Sequence, residues 1–194
     1  MSTNATTLPR PLRILLGGAT GTGKSTTLAR VFELGNQELA SAKEPKVHQP
    51  LKYGSDLIMH DSEGFQSGVD DELKIFRHFV LDRCQAVDFK DRVHLIWFFV
   101  ALNTPRPITS GAQKIFELAL EMRIPILVVF TKWRALEALV RGRMTNVVST
   151  LSPDAAAEEV KQKTISDFKV HILPQLAPLG ARPPYIVLHD EDGT

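Results

Sequence analysis

Cysteine is nearly absent from this chain. The single copy, Cys84, excludes an intrachain disulfide and suits a reducing compartment. Its apolar neighbours make it a small core residue rather than a reactive thiol. Long apolar runs are missing too. The longest, Leu95 to Leu102, has eight residues, too few to span a bilayer and the right length for a buried strand. Neither sign of charge is in excess: the formal net charge is +1, so no nucleic-acid partner is expected. The six histidines show no His-x-x-x-His spacing and hence no zinc motif. Residues 1–11 are rich in Ser, Thr and Pro and lack the apolar segment of a secretory signal. They read as a disordered lead to a cytoplasmic protein. No acidic residue precedes Glu33, a bias shared with organelle-targeting peptides, yet that stretch contains the first motif below and could not be removed whole.

What is present is ordinary in bulk. At 194 residues and 43% hydrophobic content, one domain with a substantial core is expected. Apolar runs alternate with helical periodicity, which predicts an α/β fold of three layers, a mostly parallel sheet with helices on both faces. Strands are expected at 12–16, around 47–53, at 57–60, at 94–102, at 125–130 and at 185–188. Helices are expected from Lys24 to Leu34, around Leu73, Phe76, Val80 and Cys84, from a capping box at Ser110, over 134–148, and from Ser152-Pro153 through Val160, Phe168 and Ile172.

One segment carries chemistry by itself. Gly18-Ala19-Thr20-Gly21-Thr22-Gly23-Lys24-Ser25 follows an apolar strand and opens a helix, the context that a Gly-x-x-x-x-Gly-Lys-Ser phosphate loop requires. Glycines let successive backbone N–H groups turn inward and approach phosphate oxygens, and the helix N-terminus adds partial positive charge. In such a loop Lys24 reaches the β- and γ-phosphates and the Ser25 hydroxyl ligates Mg²⁺. A nucleoside di- or triphosphate is therefore the expected ligand.

A second motif, Asp61-Ser62-Glu63-Gly64, ends a later strand. A carboxylate there can hold Mg²⁺ through water while the Gly64 N–H meets the γ-phosphate. A third, Thr131-Lys132-Trp133-Arg134, ends a further strand and resembles the guanine-reading [Asn/Thr]-Lys-x-Asp of GTP-binding proteins. With three motifs in order, the chain resembles a P-loop GTPase G domain over roughly residues 12–189, within a domain expected to span 12–194. Asp61-Ser62-Glu63-Gly64-Phe65 is most similar to the septin- and Era-like branch. Ile96-Trp97-Phe98, Arg106-Pro107-Ile108-Thr109 and Val129-Phe130-Thr131-Lys132 resemble small fungal G-domain proteins. The resemblance implies a phosphate loop of Gly18, Ala19, Thr20, Gly21, Thr22, Gly23, Lys24 and Ser25, with Thr26 near the α-phosphate. It implies Mg²⁺ held by Ser25 and, through water, Asp61, with Lys24 and Gly64 acting on the γ-phosphate. Thr131, Lys132 and Arg134 would lie at the base, with Trp133 close to that pocket.

Four departures accompany it. Phe65 stands where Ras-like proteins place a water-orienting glutamine, and Gln66 comes one position late. Residues 34–60 contain no threonine for the switch contact to Mg²⁺, leaving Ser41 and Ser55 as substitutes. Arg134 replaces the guanine-reading aspartate, so Glu137 or Asp190 would have to supply a carboxylate. The six residues from His189 onward leave no room for the helix that normally follows the last strand. Arg106 is a candidate arginine finger in cis or a solvated loop residue, and Arg134, Arg141 and Arg143 read as a solvated helix face.

The leading expectation is a GTP-binding switch with slow Mg²⁺-dependent hydrolysis and an effector partner. A nucleotide binder without turnover is the second expectation. A P-loop kinase, for which Arg141-Gly142-Arg143 hints at a lid, is the third.

Overall fold

Alternation along the strands places two apolar faces on one sheet. The computed structural model describes residues 11–31, 50–53, 55–62, 70–179 and 183–189. In β1 (Leu12–Gly18), Leu15 points to one face while Ile14 and Leu16 point to the other. In β4 (Leu95–Ala101), Ile96, Phe98 and Val100 share the face of Leu15, and Phe99 shares that of Ile14. β5 (Ile126–Thr131) divides Val128 and Phe130 from Val129 in the same way. With β2 (Leu51–Tyr53), β3 (Leu57–Asp61) and β6 (Tyr185–Val187), the sheet runs in the order β2-β3-β1-β4-β5-β6. Among the described residues only the β2–β3 pairing is antiparallel.

Helices cover both faces. α1 (Lys24–Val31) packs Leu28 against Ile14, Leu16 and Phe99. The opposite face takes α2 (Asp70–Cys84) through Phe76, Phe79 and Val80, and α3 (Ser110–Glu121) through Ile115, Phe116 and Ala119. It also takes α4 (Trp133–Arg143) through Leu136 and Val140; a short α5 (Thr145–Val148) and then α6 (Pro153–Asp167) follow. The result is the expected three-layer α/β sandwich, a mostly parallel sheet with helices on both faces. Among the described residues no helix is long and apolar enough to cross a membrane.

Several local expectations are corrected. The cap of α3 is Thr109, whose side chain accepts from the Ala112 N–H, so Ser110 is already helical. The helix expected over 134–148 breaks at Met144, just after Gly142, a poor helix former; the Thr145 hydroxyl there donates to the Gly142 carbonyl. Ser152 caps α6 with Pro153 in its first turn, as expected. Beyond Asp167 that helix continues as a π turn (Phe168–Ile172) and then a 3₁₀ segment (Leu173–Leu179). Pro174 and Pro178 lack the N–H groups that an α-helix would need there. Residues 1–10 of the lead and 32–34 of the first expected helix lie outside the described residues.

A charged group is buried beneath the sheet. Arg13 meets His60 Nε2 through Nη1 at 2.8 Å and donates to Asp91 through Nη2 at 3.2 Å, while its backbone N–H donates to His94 Nδ1. These bonds pin the first half of β1 to β3 and to the turn before β4. Arg143 stays on the solvated face expected for it and from there pairs at 2.7 Å with the buried Asp167, which Lys163 meets at 3.1 Å.

Candidate functional site

The C-terminal ends of β1, β3 and β5 bring the three motifs to one edge of the sheet. β1 delivers Gly18 with φ +136, where an added Cβ would lie 2.5 Å from the Phe99 carbonyl oxygen. Only glycine fits so close to β4. The chain then turns through Gly21 and Gly23, both at positive φ, into α1. The Thr22 N–H and hydroxyl both bond the Ala19 carbonyl, closing the turn. Ser25 and Thr26 stand exposed at the start of the helix.

Lys24 is buried under this loop. Its Nζ donates to the Gly18 carbonyl at 3.1 Å and to the Ala19 carbonyl at 3.3 Å, which holds the ammonium at the base of the turn. Burial lowers its pKa, and Asp61 opposes that shift. Asp61 ends β3 in register with Leu16 of β1. Burial pushes its carboxyl up to about 6, partly offset by Lys24. Its Oδ1 is buried without a hydrogen-bond partner. The unpartnered Asp61 carboxylate oxygen is a hard donor of the kind that suits a divalent cation, and the exposed Ser25 hydroxyl is the other oxygen donor of the motif. Among the described residues no cluster of three or more His, Cys, Asp or Glu side chains could hold a metal.

Ser62 is a site residue that the sequence did not single out. Its hydroxyl and N–H both donate to the Leu16 carbonyl, at 2.7 and 3.2 Å, fixing the point where the chain leaves β3. The signal available was a serine directly after a strand-ending aspartate, which many turns share. Gly64, Phe65, Gln66, Ser41 and Asp190 lie outside the described residues. Ser55 is exposed and donates to Asp56.

The third motif is joined to the first. The Thr131 hydroxyl donates to the Thr22 carbonyl at 2.7 Å, and Lys132 follows at φ +59, a left-handed conformation rare for lysine. Lys132 precedes α4 and is half-buried; Arg134 is exposed in the first turn. Trp133, expected close to the base, is drawn into the core. It is 7% exposed, its Nε1 donates to Glu137 at 2.9 Å, and its ring packs on Phe168 and His189. The residue after Lys132 therefore points into the core, and Glu137 already serves the indole. A cleft of about 210 Å³ opens between the phosphate loop, Lys132 and the β4–α3 connection that carries Arg106.

No protein-family model and no curated protein matches the chain. The apo form of translation elongation factor SelB from Methanococcus maripaludis is a similar solved structure, at 14% identity and a TM-score of 0.39. The match covers 91% of this chain, and the chain spans 29% of that structure's length.

Proposed function

We propose that this chain binds a Mg²⁺-complexed nucleoside triphosphate, GTP before ATP, hydrolyses it slowly to the diphosphate and phosphate, and acts as a nucleotide-dependent switch for a protein partner in the cytoplasm. The septin- and Era-like wording of the Asp61 motif supports a G-domain assignment. The observation that carries the proposal is the pairing of a buried Lys24 ammonium, beneath a loop of positive-φ glycines, with the unpartnered Asp61 oxygen. One cation and one hard carboxylate oxygen beside a glycine loop support a reading in which they serve a β,γ-phosphate and its metal.

The residues have separable roles. Backbone N–H groups of the loop bind phosphate oxygens, and Lys24 neutralises charge that builds on the phosphoryl group. Mg²⁺, when bound, supplies positive charge to the phosphates, with Ser25 as its ligand and Asp61 holding it through water. Thr131 braces the loop, Lys132 packs along the base, and Thr26 approaches the α-phosphate. Phe65 stands where Ras-like proteins place a water-orienting glutamine and has no group to orient a nucleophile, so turnover near the unaided range, about 10⁻⁴–10⁻² per second, is expected.

Calorimetry of the whole chain with Mg²⁺ and GTP, ATP or GDP, together with phosphate release, tests the proposal. Lys24→Ala should lower affinity about tenfold or more, since charge-assisted contacts contribute about 1.5–3 kcal/mol. Unchanged binding in that variant would remove the basis of the proposal. Binding without phosphate release would favour a module that holds nucleotide without turnover, the reading that Phe65 supports.

A further inference from the structure

Resting on the nucleotide reading above, we propose that Arg106 is a second cation for the phosphate chain, supplied in cis from the wall of the cleft opposite the phosphate loop. The segment Thr104-Pro105-Arg106-Pro107 joins β4 to α3. Prolines flank the arginine on both sides: Pro105 fixes its own φ, and Pro107 holds Arg106 in extended backbone. Both ends of the segment are tied down. Leu102 is fully buried and its N–H donates to the Thr131 carbonyl at 2.9 Å, while Ile108 is buried and Thr109 caps α3. The arginine rides on a stiff bridge, so binding needs to order little more than its side-chain rotamers.

The cleft that Arg106 lines is bounded on its other side by Ala19 to Thr22 of the phosphate loop. Lys132 lines it as well, and among the described residues no carboxylate does, so the charges that the described lining carries are both positive. The first turn of α3 opens into the same space through Thr109 and Ala112, adding the partial positive charge of a helix start. A polyanion with many acceptor oxygens is the matching ligand. A guanidinium, with its planar fork of donors, suits phosphate oxygens better than an ammonium does. Lys24 therefore holds the chain from inside the loop and Arg106 meets it from outside.

Calorimetry on the full chain separates this role from the others, using Mg²⁺–GTP, Mg²⁺–ATP and guanosine as probes. Arg106→Ala should weaken both triphosphates about tenfold, leave guanosine binding unchanged and flatten the salt dependence of triphosphate affinity. Arg106→Lys should recover part of the loss. Lys161→Ala, an exposed cation on α6, should match the unmodified protein, as should the melting temperature of ligand-free Arg106→Ala. If Arg106→Ala binds triphosphate like the unmodified chain while Lys24→Ala does not, this role for Arg106 is wrong and the nucleotide reading stands. Equal losses for guanosine and GTP would also overturn it, because the contact would then not be to phosphate. If the unmodified chain binds neither triphosphate, the nucleotide reading itself fails and this role falls with it.

Discussion

The Thr131 hydroxyl holds the Thr22 carbonyl at 2.7 Å across 109 positions of sequence. A trans peptide points its C=O and the following N–H in opposite directions. By drawing the Thr22 carbonyl toward β5, Thr131 turns the Gly23 N–H to the other side of the loop, where a phosphate would lie. The Thr131 carbonyl in turn accepts from the Leu102 N–H. One residue thus joins the phosphate loop, the end of β5 and the start of the Arg106 bridge.

Thr131→Val keeps the volume and removes the hydroxyl, leaving the Thr22 carbonyl unpaired in a buried place. Stability should fall by about 1–2 kcal/mol in denaturant titrations, and nucleotide affinity should fall with it. Thr131→Ser should restore both. A variant that keeps full stability and affinity would separate Thr131 from the loop.

Gly18 and Gly21 should respond differently to alanine. At Gly18 the new Cβ would meet the Phe99 carbonyl at 2.5 Å, at a φ of +136, so strain and displacement of β4 combine. A loss of about 2–5 kcal/mol is expected. At Gly21 nothing lies within 4 Å of the added Cβ, and only the backbone strain of about 1–2 kcal/mol applies. Thermal or chemical unfolding of the two variants would contradict this if Gly21→Ala proved the worse.

Asp61 sets a pH dependence with a definite sign. Its carboxyl is raised from 3.8 to about 6, chiefly by burial. Its protonated form therefore favours the fold: that contribution is full below about 3.8 and is lost as pH rises through about 6. Asp61→Asn should stabilise the ligand-free protein at pH 8, by about 1–3 kcal/mol, and change it little at pH 4. On the proposed function Mg²⁺–nucleotide binding would use the carboxylate, so affinity should rise through pH 6 in the unmodified protein and lose that step in the variant. Parallel pH profiles for the two proteins would count against the assignment.

His94 acts in the acid direction. Burial lowers its pKa, and Arg13 adds to that. Its Nδ1 accepts from the Arg13 N–H, which only the neutral ring can do. Its contribution is full above the ordinary value of 6.5 and is lost as pH falls through the lowered folded value. His94→Gln should flatten the acid limb of a stability-against-pH curve; an unchanged limb would place the acid sensitivity elsewhere.

On the proposed nucleotide reading, Arg134 stands where guanine-binding proteins carry the base-reading aspartate. A guanidinium offers only donors, whereas guanine presents a ring N–H and an amine that need an acceptor. Glu137 is engaged by the Trp133 indole and is not a free substitute. Weak discrimination between GTP and ATP is therefore expected, and Arg134→Asp should raise GTP affinity selectively. Because the Trp133 ring is buried against Phe168, competition calorimetry rather than tryptophan fluorescence is the measurement. A hundredfold preference for GTP in the unmodified chain would show that another residue reads the base.

Local rules made much of this protein legible before any coordinates. Short continuous apolar runs marked the buried strands because a strand covered by helical layers on both faces has apolar side chains on both sides. The glycine spacing before Lys24 marked the phosphate loop because positive-φ turns and close backbone approach leave glycine little competition. Ser152-Pro153 foretold a helix start for equally local reasons. Met144 and Thr109 were missed because a break at a single glycine, or a choice between adjacent hydroxyl caps, rests on differences of about 1 kcal/mol that packing readily overrides.

The tertiary structure decided what depends on contacts between distant segments. That Thr131 braces Thr22, that Ser62 anchors to Leu16, that Trp133 turns into the core and that Arg106 shares a cleft with the phosphate loop cannot be read from spacing. Each follows from which strands become neighbours and in what register. The amino-acid order determined which residues could turn, bury or carry charge, since those properties belong to one residue and its few neighbours. The sheet order brought them together, because parallel pairing aligns the C-terminal ends of β1, β3 and β5 on a single edge.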